Sequence, residues 1–105
     1  KRQYLRRPRL DERHLTNVEN EMRRGEERYG KFASGHEFMA VLQEEVTELW
    51  EDIRLTGYPS YHELVQVAAV ALRAIHQYGG DDPDRFERER SDLFKNGKTA
   101  ERTDA

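Results

Sequence analysis

The chain contains no cysteine in its 105 residues. Disulfide staples, thiolate metal sites and cysteine nucleophiles are therefore excluded. The absence fits a reducing compartment, and a cytoplasmic location is the expectation. No apolar run approaches the roughly 18–20 residues of a membrane span, and no secretory signal is visible, so no membrane partner is expected. Positive charge is not in surplus either: 18 Lys and Arg stand against 21 Asp and Glu, a net charge of −3. Without a global basic field, nucleic acid is not an expected partner. There is no GxxxxGK[ST] loop to cradle phosphate and no nucleophilic serine motif. His14, His36, His62 and His76 lack ligand spacing on a common helix face, which points to surface or cap roles.

Apolar residues are also scarce. They make up 35% of the chain against 37% charged, concentrated in residues 38–53 and 64–75. One small domain is the most this length supports. A core carried by two helices suggests completion by a second copy, as a homodimer or homotetramer.

What is present reads as helix throughout. Residues 1–10 form a basic N-terminal arm, KRQYLRRPRL. A first helix is predicted over 11–29, with Asp11 as N-cap and a thin stripe of Leu15, Val18, Met22 and Tyr29. Gly25 weakens it and Gly30 ends it. Ser34 followed by Glu37 is a capping-box pattern for a second helix over 35–56. There Phe38, Leu42, Val46, Leu49 and Ile53 share one face. Glu45, Glu48 and Asp52 run along its flank, with Glu44 and Glu51 turned toward solvent. Gly57 and Ser60 bracket a short turn, so the next helix, 61–78, is an antiparallel neighbour. That helix is apolar on nearly every side, and Glu63, Gln66, Val70 and Arg73 form one stripe along it. A fourth helix is predicted to start near Pro83, packed down by Phe86, Leu93 and Phe94. The domain spans 11–94, and 95–105 is an expected disordered tail. The fold class is all-α, with antiparallel helices in a four-helix-bundle-like core.

The chemistry lies in the acids. A spacing of three puts Glu45 and Glu48 on one side of their helix, and Glu63 can join them from the antiparallel neighbour. Three carboxylates of this kind suit a hard cation, magnesium or manganese rather than zinc. Magnesium commonly takes its remaining ligands from waters and substrate phosphates. The plain alternative is a solvated Glu-rich helix face.

The stretch GKFASGHEFMAVLQEEVTELWEDI, followed by ELVQVAAVALRAI, resembles the MazG-like all-alpha nucleoside triphosphate pyrophosphohydrolases over roughly residues 30–75. The family pattern is ExxE, a spacer, then ExxD. Here the first half is Glu45 to Glu48, preceded by Glu44, and the second opens at Glu63. Gln66 stands where the family pattern has aspartate, offering a neutral carbonyl in place of a charge. The resemblance implies magnesium- or manganese-assisted cleavage of a nucleoside triphosphate to monophosphate and pyrophosphate. Metal binding and catalysis then fall to Glu45, Glu48 and Glu63, with Glu44 and Gln66 as further metal candidates. Charge and placement put Lys31 and Arg73 forward as phosphate contacts. Trp50, Tyr58 and Tyr61 are candidates to flank a base, with Trp50 alternatively packing at the core edge. The rival expectation is a catalytically silent helical module that binds nucleotide or a protein partner.

Overall fold

The computed structural model describes residues 9–95. The basic arm lies outside the described residues except for Arg9 and Leu10, and the tail does so except for Lys95. The four helices follow the sequence closely: α1 (Glu12–Tyr29), α2 (Gly35–Thr56), α3 (Tyr61–Gly79) and α4 (Arg85–Lys95). Lys95 belongs to α4 and not to a tail. No described helix is long and apolar enough to cross a membrane.

The expected caps set these boundaries. The Asp11 carboxylate accepts from the Arg13 N–H at 2.9 Å and from the Arg13 guanidinium. Those bonds hold its pKa down at about 2. Ser34 Oγ accepts from the Glu37 N–H at 3.1 Å, and Glu37 reaches back to the Ala33 N–H, one residue before the usual box partner. Gly57 closes α2 at φ 87°, where its N–H bonds to Ile53 O. Only glycine adopts that left-handed conformation at no steric cost. Ser60 Oγ then accepts from the Glu63 N–H at 3.0 Å, so the cap of α3 also fixes the position of Glu63 in its first turn.

The central element is α3, against which both α1 and α2 pack. The core is thin: Met22, Phe32, Ala69 and Val70 are its buried apolar residues. On α2 the expected inward face is only half-buried at Phe38, Leu42, Leu49 and Ile53, and Val46 is exposed. Of the α1 stripe, Leu15 and Tyr29 are exposed. The fourth helix departs from expectation. Phe86, Leu93 and Phe94 are 68%, 65% and 76% exposed, so they do not pack α4 onto the core. With seven of its eleven residues charged, α4 has too little apolar surface on one side to bind the other helices. Arg85 Nη1 bonds to Tyr78 O at 3.0 Å, and Arg88 Nη2 pairs with Asp82 Oδ2 in the preceding turn at 2.6 Å. The core within one chain is thus built from three helices.

The loop between α1 and α2 is pinned by a residue not singled out from the sequence. Gln77 accepts from the Phe32 N–H at 2.8 Å and donates to Phe32 O at 2.9 Å. This two-point clamp satisfies the loop backbone and seats the Phe32 ring in the core, edge-on to Phe38. Gln77→Ala is expected to cost about 1–3 kcal/mol, since both Phe32 groups lose their partner where water is restricted. Urea unfolding of the two proteins checks this, and an unchanged midpoint would contradict it.

Candidate functional site

Glu45 and Glu48 come from α2 and Glu63 from α3. One carboxylate oxygen of each lies within 4.8 Å of the other two. Two local features produce this. The three-residue spacing aligns the α2 pair, and the short 57–60 turn brings the capped start of α3 beside them. Glu45 and Glu63 are half-buried, while Glu48 is exposed. Among the described residues no lysine or arginine pairs with any of the three.

The electrostatics follow from that geometry. Glu63 Oε1 is buried and takes no hydrogen bond from an N–H or hydroxyl among the described residues. Burial pushes the Glu45 carboxyl up to about 7, with further contributions from the charges of Glu48 and Glu63, a hydrogen bond with Glu63, and the charge of Glu44. Three carboxylates this close cannot all carry charge cheaply. A proton or a cation among them would relieve the repulsion. The donor set is all hard oxygen, and a buried Glu63 oxygen that takes no such bond is the kind of atom a divalent cation would satisfy, so these residues fit such an ion.

The remaining candidates are placed as follows. Glu44 is exposed and borders the cavity beside Glu45, outside the three-oxygen cluster. Gln66 turns its amide toward α1, where Nε2 donates to Glu21 Oε2 at 2.8 Å. Glu21 is held below the usual carboxylate range by Arg24 first and by Gln66 second. Gln66 thereby ties α3 to α1. Trp50 and Tyr58 are 55% and 75% exposed, so Trp50 does not pack into the core, and neither residue borders the cavities that Arg73 lines. The Tyr61 hydroxyl accepts from Asn17 Nδ2 at 2.9 Å and pairs with His14 Nδ1 at 2.7 Å, joining α3 to α1.

A cavity of about 750 Å³ opens between the three helices, bordered by Glu44, Glu45, Gln66, Val70 and Arg73 among others. At its far side Arg73 is only 8% exposed. Its guanidinium lies 4.0 Å from the centre of the Phe32 ring and 5.8 Å from that of Tyr29. Gly25 makes room for it: a methyl there would come within 3.1 Å of Nη1 and 3.2 Å of Cδ of Arg73. Read from sequence, Gly25 only weakened a helix. The structure shows it as the close approach that admits a buried arginine. The sequence signal was a lone glycine inside a strongly helical, charge-rich run. Lys31 is exposed and borders a second, smaller cavity with Arg73.

Comparison with family profiles, with curated proteins and with solved structures finds no match to this chain.

Proposed function

We propose that this chain is a nucleoside triphosphate pyrophosphohydrolase of the MazG-like kind, using magnesium or manganese to release pyrophosphate and a nucleoside monophosphate. The observation that carries this reading is the buried Glu63 Oε1, bonded by no N–H or hydroxyl among the described residues, within a three-carboxylate cluster drawn from two helices. Glu45, Glu48 and Glu63 would hold the cation, with Glu44 contributing negative charge from the rim. When bound, the ion supplies neutralisation of the polyphosphate and acidification of water. A carboxylate oxygen of the cluster left free by the ion could take the proton of that water. The adjoining cavity is of small-molecule size. The reading includes a cytoplasmic location and a homodimer or homotetramer, the association supported by the exposed Leu64, Ile75 and Tyr78 on α3.

A second reading, a silent module that binds nucleotide or a protein partner, is favoured by Gln66. That residue brings no fourth charge and spends its amide on Glu21. Pyrophosphate release across a panel of nucleoside triphosphates, with and without magnesium, separates the two. The hydrolase reading expects metal-dependent turnover of at least one nucleotide. Binding without turnover at every metal concentration would leave the second.

A further inference from the structure

The smaller cavity, about 380 Å³, is bordered by Glu26, Gly30, Lys31, Arg73, His76 and Gln77. Arg73 reaches it from within the core, more than nine-tenths buried, with its Nε lacking any hydrogen-bond partner. A guanidinium does not shed its proton in proteins, so burial leaves a full charge that costs several kcal/mol unless compensated. The Phe32 face offsets part of this, but no carboxylate is ion-paired with Arg73 among the described residues. The one acid on the cavity wall, Glu26, is engaged by His76 Nδ1. Lys31 has no described ion-pair partner either. Gly30 N–H closes on Glu26 O, and both backbone groups of Phe32 are held by Gln77. Two cations therefore face a cavity with a single carboxylate, which is itself hydrogen-bonded to His76.

We propose that this cavity is a binding site for a multiply charged oxyanion of phosphate type, held by the Arg73 fork and the Lys31 ammonium, with His76 at the wall. The fork geometry of guanidinium and the point charge of ammonium are the pairing that phosphate oxygens accept best. None of the three cluster carboxylates borders this smaller cavity, although Arg73 also borders the larger one beside Glu45. Arg73 follows Glu63 by ten residues on α3, roughly 15 Å along the helix axis. It needs no divalent cation and does not rest on the hydrolase reading.

The test is a thermal-shift and calorimetric titration in excess EDTA, with pyrophosphate, inorganic phosphate and a nucleoside monophosphate as separate probes. Sodium chloride at matched ionic strength is the control. The wild-type protein should be stabilised by at least one probe, with a Kd of about 1 mM or tighter. Preference for the free anions marks a site for released or free phosphate, and preference for the monophosphate marks a nucleotide's own phosphate. Glu63→Gln should keep the effect, which separates this site from the metal cluster. Arg73→Gln should weaken binding about tenfold or more. Should that buried substitution fail to fold, the exposed Lys31→Glu variant carries the same expectation. No shift from any probe, a shift reproduced by chloride, or an undiminished shift in the folded variants would overturn the proposal.

Discussion

Glu63→Gln is expected to lower magnesium-dependent pyrophosphate release by about 100-fold or more while leaving the fold intact. Glutamine matches the shape of glutamate but removes the negative charge from the buried oxygen that takes no bond from an N–H or hydroxyl among the described residues. The N-cap bond at this position uses the backbone N–H of residue 63 and the Ser60 hydroxyl, so α3 keeps its start. With the cluster relieved of one charge, the metal-free variant should unfold no lower than the wild type, because crowded carboxylates oppose folding. Circular dichroism melting and a metal-dependent kcat/KM measurement check the two halves together. A purely structural role for Glu63 gives the reverse pattern, with melting lowered and metal response unmoved.

The second large effect is a dependence of stability on pH in the absence of metal. The Glu45 carboxyl, raised from its ordinary 4.5 to about 7, binds its proton more tightly folded than unfolded. Between those two values the folded chain holds the extra proton. Its contribution to stability is fully present below about pH 4.5 and is lost as pH rises through about 7. Asp11 and Glu21 are shifted the other way, downward, so their effects fall below this window. Urea unfolding in EDTA should show wild-type stability declining across the window relative to Glu45→Gln, which cannot titrate. Magnesium replaces the proton, so adding it at pH 7.5 should restore stability to the wild type but not to the variant. It should also bind more weakly as pH falls below about 7. Parallel pH profiles of the two proteins would refute the assignment of this titration to Glu45.

Much of this architecture is legible from local chemistry. Asp11, Ser34 and Ser60 are hydroxyl or carboxylate caps placed just before helical runs, and Gly57 is a glycine just after one. Each acts within four residues, so sequence carries it directly. The three-acid cluster is legible for the same reason, since helix spacing and a short turn together determine which side chains meet. The fate of α4 is not legible. Phe86, Leu93 and Phe94 look like packing residues in a linear pattern, but packing depends on what surface the rest of the chain presents. The direction of Gln66 is equally non-local, set by Glu21 at a separation of 45 residues. So are the Gln77 clamp and the burial of Arg73 against Gly25 and Phe32, which require α1, α3 and the 30–34 loop to be assembled first. Trp50 illustrates the converse, a large aromatic that the fold leaves in water.

The most direct measurement is a crystal structure grown with manganese and a non-hydrolysable nucleoside triphosphate, using anomalous scattering to locate the ion. A manganese peak coordinated by oxygens of Glu45, Glu48 and Glu63 at about 2.2 Å, with phosphate oxygens completing its shell, is the expected result. A map with no anomalous peak between those three side chains, or with Glu63 bonded to a neighbouring lysine or arginine instead, would contradict it.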